Sequence, residues 1–397
     1  MENKKYIFLC SAYPKEYDEF FHSLSGDDST ISGNIHSMSV LDGLKSLNFD
    51  YFAISGVSVG HYPLNTKTKK LPEIQFADDF YSVAYNNHVL KSQKSKERAM
   101  IKCFKEHCKF KNEPLNILIA DIHEPFIRAA LKIKKFNKDS RIVNICLDVP
   151  DTIVSSNNSL LRRALKKISV KRNLKLLKKI DGFVLLSDLM KERLPVNKKP
   201  YIVLPCLSDL NLYNGFKKDT HSDILVVYCG VLSLQYNIDL LLNAFSLINK
   251  PNYKLLLAGK GDGVPSIKEY AKKDERIQYL GEITRNEALQ LQLNADVLVN
   301  PRLPEQNYTS YSFPSKTISY LLSGNPLVCY TFASFPKDIK DMVFEPKKTD
   351  AISLANAIIS CSRKKSKVKY NALEKYSSKE SLKRLNELFE ITRSQNE

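Results

Sequence analysis

Ser315, Lys316 and Thr317 follow Phe313-Pro314 and open a short apolar-periodic run that stops at Gly324. A lysine and two hydroxyls at a helix start suit chemistry on anions. The first N–H groups of a helix lack intrahelical partners, the helix dipole is positive there, and Lys316 adds a mobile charge. Upstream, the apolar run DVLVN ends in Pro301-Arg302. A guanidinium at a strand end can clamp a phosphate through two parallel hydrogen bonds. Glycines close three further runs: Gly230 after ILVVYC, Gly259 after YKLLLA, and Gly281 after IQYL. Glycine in such a turn lets backbone approach a ligand closely. Each feature also has an ordinary reading as a tight turn, a capped helix or a surface arginine. AGKGDG (258–263) is not a dinucleotide fingerprint, because a helix start and a downstream acid at the required spacing are not both evident.

The first half carries a sparser set. Gly33 and Asn34 precede a helical pattern in STISGNIHSMSVL. Asp121 and His123 follow the run NILIA. Asp148 and Asp151 follow NICL. The ordinary reading of Asp148 and Asp151 is that they cap the next helix. Cys103, His107 and Cys108 form no standard zinc pattern, and no second ligand pair follows.

These residues need a scaffold that presents strand ends. Short β-rich runs (YIFLC, YFAIS, NILIA, IVNICL, GFVLL, YIVL) alternate with helical patterns. A second series follows: ILVVYC, YKLLLAG, IQYLG, DVLVN and PLVCY. The alternation predicts an α/β fold with two doubly wound, Rossmann-like parallel-sheet domains. The polar stretch 205–222 is the expected boundary, giving domains 1–205 and 206–375, with a helix in 376–397 packing back towards the first. In such sheets ligands bind beyond the carboxyl ends of the strands, so a cleft between two facing domains is the expected site. In the second domain Thr284 and Glu287 have capping-box spacing.

The 397 residues carry a net charge of +17, which favours anionic partners. Nine Lys/Arg and no acid fall in 159–180. Leu161, Leu165 and Ile168 share one helical face and Val170, Leu174 and Leu177 another, with a break expected at Ser169. This is either a solvated helix packed by an apolar stripe or an attachment to an anionic membrane surface. Aromatics are not interleaved with the basic run, which argues against nucleic acid. Eight scattered cysteines, several inside apolar runs, fit a reducing cytoplasm. No run approaches the ~20 apolar residues of a membrane span.

The order YCGVLSLQYNIDLLLNAF, YKLLLAGKGDG, RIQYLGEI, ADVLVNPR, SFPSKTISYLLSGNPLV, over about 222–360, resembles the C-terminal domain of glycosyltransferase family 4, in the subgroup with an FPSK helix start. The resemblance implies a GT-B fold with its domains facing a central cleft. It implies retaining, metal-independent sugar transfer, with no cofactor, from a nucleotide-sugar donor to a lipid-linked glycan, in cell-surface polysaccharide synthesis at the inner membrane face. On it, Gly230, Gly259, Leu280, Gly281, Ser315, Thr317 and Ser319 bind the donor, with Lys316 and Arg302 on its diphosphate. Asp148 falls at the reacting sugar, and Gly33, Asn34, His123 and Asp151 fall on the acceptor side. Val231 and Tyr236 stand where many members carry an Arg and a Lys. Tyr311 and Ser319 stand where many carry two glutamates. Those departures keep a non-catalytic partner or sugar-binding subunit open, beside a GT-B nucleotide-sugar epimerase.

Overall fold

The structure is a computed structural model that describes residues 4–25, 31–150, 160–304 and 311–394. It divides into two compact units, Met1–Leu207 with Tyr376–Glu397, and Ser208–Lys375.

The first unit is built on an eight-stranded sheet. Its strands are β1 (Lys5–Cys10), β2 (Asp50–Ser55), β3 (Ile74–Ala77), β4 (Phe80–Ser82), β5 (Asn116–Ala120), β6 (Arg141–Cys146), β7 (Gly182–Leu185) and β8 (Tyr201–Val203). The order across the sheet is β8-β7-β6-β5-β1-β2-β4-β3, parallel except for the β3–β4 edge pair. β1 and β5 sit at the centre with almost every residue buried. This is why they read as unbroken apolar runs rather than alternating ones.

Four helices matter for the first unit's chemistry: α1 (Ile31–Ser46), α2 (Ser92–His107), α3 (Glu124–Ile133) and α4 (Leu160–Leu177). Gly33 and Asn34 lie inside the first turns of α1, not in a loop ahead of it. Asn34 is buried there and its Oδ1 accepts from the Tyr13 N–H at 2.9 Å, so a tertiary bond holds a weak helix start. α4 runs through Ser169 without the expected break. Ser169 is exposed, where serine costs a helix little, and Leu176 and Leu177 are buried at its end.

The chain's last helix, Ser378–Ser394, packs on this same unit. Leu382, Leu385, Leu388 and Phe389 enter the core beside β1. Tyr6 donates to Asn386 Oδ1 at 2.9 Å. Gly43 of α1 makes the crossing possible, because a Cβ there would lie 2.6 Å from Leu382.

The second unit has a five-stranded parallel sheet of β9 (Ile224–Cys229), β10 (Tyr253–Ala258), β11 (Ile277–Gly281), β12 (Val297–Asn300) and β13 (Leu327–Cys329). Its order, β11-β10-β9-β12-β13, reverses direction at β9. The helices α5 (Ile238–Ser246), α6 (Arg285–Asn294), α7 (Ser315–Leu322) and α8 (Ala351–Cys361) follow strands in crossover connections. α6 starts with a complete capping box: Thr284 Oγ1 accepts from Glu287 N–H at 3.3 Å, and Glu287 accepts from Thr284 N–H at 2.7 Å. Among the described residues no helix is long and apolar enough to cross a membrane.

Candidate functional site

The carboxyl ends of β9, β10 and β11 are tied to one another through backbone. Gly230 N–H donates to Ala258 O at 2.8 Å, and Gly259 N–H donates to Gly281 O at 2.8 Å. Gly259 has φ +131°, and a Cβ on it would lie 1.9 Å from Gly230 O. No side chain fits between these two turns, which explains glycine there in physical terms.

Lys316 enters the space that Gly230 leaves. A Cβ on Gly230 would lie 1.4 Å from Lys316 Nζ. The ammonium sits over the Tyr228 ring, 4.5 Å from its centroid, and donates to Tyr228 Oη at 3.4 Å. Among the described residues no carboxylate lies within ion-pair distance of it. Burial is the main cause that pulls its pKa down to about 7; Cys229 opposes the shift and Arg302 adds to it. The Arg302 guanidinium lies 3.9 Å from the centroid of the Tyr236 ring. Tyr236 is one of the two positions where the sequence lacks an expected basic residue. The stacked Arg302 thus brings a positive charge to that place from another strand end.

α7 is anchored to β9 by Tyr320. The buried Tyr320 hydroxyl accepts from Cys229 N–H at 2.9 Å and donates to Cys229 O at 3.1 Å. This bracket holds Lys316 against Gly230. The start of α7 has no side-chain cap, with Pro314 at the N-cap position. Thr317, expected among the residues that bind the sugar donor, has a buried side chain whose Oγ1 finds no hydrogen-bond partner among the described residues, and its N–H donates to Pro314 O at 2.9 Å. Ser319 donates to Lys316 O at 3.0 Å, so its hydrogen is turned onto its own helix. Leu280 is exposed beside Gly281. Tyr228, Tyr320 and Asn237, whose Oδ1 accepts from Leu303 N–H at 3.1 Å, were not singled out from sequence. Tyrosines inside or beside apolar runs carry no pattern that separates packing from bracing.

In the first unit His123 precedes α3 with no side-chain cap, and its ring lies tilted against Phe126 with centroids 4.7 Å apart. Burial pulls its pKa down to about 3. Asp121, at φ +61°, has its pKa raised by burial. Asp148 is exposed just past β6. Asp151 lies outside the described residues, as do the side chains of Ser315 and of residues 160–166. Cys103 and Cys108 are buried free thiols.

Residues 223–364 match the model of the family described as glycosyl transferases group 1. No curated protein sequence matches the chain. Among solved structures, the chain is similar to a sucrose-phosphate synthase from Thermosynechococcus elongatus, at 15% identity over 99% of this chain and 97% of that one, with TM-score 0.62. A glycosyltransferase from Rickettsia africae ESF-5 aligns at 11% identity over 99% of each chain, with TM-score 0.62. The fold is GT-B. A TarM variant from S. aureus, in complex with Fondaparinux, alpha-GlcNAc-glycerol and UDP, aligns at 11% identity over 97% of this chain and 99% of that one, with TM-score 0.58. The part of this GT-B chain that matches the family model contains every element of the Gly230, Lys316 and Arg302 arrangement.

Proposed function

We propose that the chain is a retaining glycosyltransferase that moves a sugar from a nucleotide-sugar to a glycan acceptor, carried on a lipid at the cytoplasmic face of the membrane in cell-surface polysaccharide synthesis. The observation that carries this reading is the Lys316 ammonium held in the Gly230 niche without a carboxylate partner among the described residues. A half-buried cation without a counterion is costly on its own, and a diphosphate supplies the missing charge. As the donor bond breaks, charge grows on the departing diphosphate. Lys316 and the Tyr236-stacked Arg302 would stabilise that charge without a metal ion. The start of α7 adds its dipole. Asp148 would act at the sugar and acceptor, with Gly33, Asn34, His123 and Asp151 on the acceptor side. The exposed Lys167, Ile168, Lys171 and Lys175 of α4 are the surface for an anionic leaflet.

A panel of nucleotide-sugars and nucleoside diphosphates, scored for thermal stabilisation, tests the donor half. A matching diphosphate should raise the melting temperature by mass action. Arg302→Ala should weaken that donor at least about tenfold, the scale of one charged hydrogen bond. Tyr236→Phe should keep the stacking and most of the affinity, whereas Tyr236→Ala should not. Equal affinity in all four proteins would remove Arg302 from the site.

The engaged Ser319 hydroxyl favours a second reading, a non-catalytic sugar-binding subunit. Donor binding with no hydrolysis and no transfer to any acceptor would support it.

A further inference from the structure

The first unit holds a buried lysine, Lys96, with its own set of basic neighbours. Lys96 is 4% exposed on α2. Its Nζ donates to Gly56 O and to Ser58 Oγ, both at 3.0 Å, in the loop that follows β2. It faces the Tyr85 ring at 4.6 Å and the Phe126 ring at 5.9 Å. Gly56 makes the path: a Cβ there would lie 2.8 Å from Lys96 Cδ and 3.1 Å from Phe126. An ammonium has three donors, and these two bonds use two of them.

His123 arrives from the end of β5 and lies tilted against the same Phe126 ring. Its Nδ1 is buried without a hydrogen-bond partner. His61 arrives from the loop after β2, and its Nδ1 lies 3.4 Å from Ser92 Oγ, one turn before Lys96 on α2. Phe126 thus packs against both Lys96 and His123, and His61 meets α2 one turn before Lys96, which brings the three groups into one region.

The neighbouring acids are engaged elsewhere. Glu97 pairs with Lys132 at 2.7 Å, and Glu124 pairs with Arg128 at 2.8 Å and Arg172 at 3.5 Å. Among the described residues no carboxylate lies within ion-pair distance of Lys96. Three basic groups therefore converge at the carboxyl ends of β2 and β5 with open donor capacity. In a parallel sheet this is the edge where ligands bind.

We propose that Lys96, His61 and His123, with the Ser58 hydroxyl, form a pocket for a phosphoryl group. Donors converging from a lysine, two imidazoles and a hydroxyl suit the several oxygens of a phosphate. That this phosphoryl group belongs to the acceptor rests on the glycosyltransferase reading; the pocket itself does not.

The test follows the histidine ring resonances of the full chain during titration with inorganic phosphate, and separately with a soluble poly(glycerol phosphate). The expected result is saturable movement of the His61 and His123 signals with both probes, tighter for the polymer. Lys96→Met should weaken both probes at least tenfold. This variant keeps the side-chain volume and removes a buried charge, so it should fold. His61→Asn, at a half-buried site, is the second variant and should weaken both as well. Binding of inorganic phosphate alone would overturn the acceptor assignment, and no saturable shift with either probe would overturn the pocket. Nucleoside-diphosphate stabilisation should be unchanged in Lys96→Met. If that stabilisation is absent in the wild type while the histidines still respond, the transferase reading fails and the pocket stands.

Discussion

Lys316→Met should lower kcat/KM for sugar transfer by about 10²- to 10³-fold, the scale for removing one preorganised group that stabilises developing charge. The fold should survive. Methionine fills the same channel over Tyr228, and it removes a cation that burial disfavours. The pH dependence separates this role from a packing role. Burial sets the Lys316 pKa at about 7 in the folded chain, below the ordinary 10.5. A bound diphosphate favours the charged form, so donor binding should take up a proton above pH 7, and affinity should fall as pH rises through about 7. Calorimetry at pH 8 in two buffers of different ionisation enthalpy reads that proton, and Lys316→Met should abolish it. Stability has the opposite trend. Between pH about 7 and 10.5 the unfolded chain holds a proton that the folded chain has lost, so wild-type stability rises with pH there. The Lys316→Met variant should lack that part of the slope. Unchanged transfer and unchanged proton uptake would exclude Lys316 from the donor site.

Why Lys316 was visible in sequence while its setting was not follows from the distances involved. A basic residue at a helix start is a local pattern. The niche beside Gly230 is not, because it joins residues from two strand ends and depends on the Tyr320 bracket to Cys229. Lys96 shows the same limit more sharply. It lies in SQKSKERAM, which reads as a charged helix. Yet Ser92, Lys96, Met100, Cys103 and Phe104 share the buried face of α2, and that spacing was the available signal. The central strands were legible because buried parallel strands are continuous apolar runs. β3 and β4 were not, since β3, at the sheet's edge, alternates between half-buried and exposed residues and β4 has only three residues. Asn34 was read as a loop residue because asparagine and glycine are poor helix formers. Its bond to Tyr13 N–H overrides that preference.

Gly259→Ala should be the most damaging substitution for the second unit's fold. Its Cβ would lie 1.9 Å from Gly230 O, a backbone atom that cannot rotate away. Overpacking costs about 1–3 kcal/mol, and an unfavourable positive-φ backbone about 1–2 kcal/mol more, giving a loss of about 2–5 kcal/mol. Gly281→Ala is the matched control. Gly281 has φ +75°, but a Cβ there meets nothing within 4 Å. It should lose only the conformational part, about 1–2 kcal/mol. Urea denaturation of both variants reads the difference as a shift in midpoint at constant slope. Equal losses would mean that the turns after β9 and β10 can move apart freely. That outcome would also weaken the donor-site argument, because Lys316 is placed by the position of Gly230, and Gly230 is placed by its contact with Gly259. If the turns are rigid, the Gly259→Ala protein that remains folded should bind the nucleoside diphosphate more weakly than the Gly281→Ala protein, although neither substitution alters a charged group.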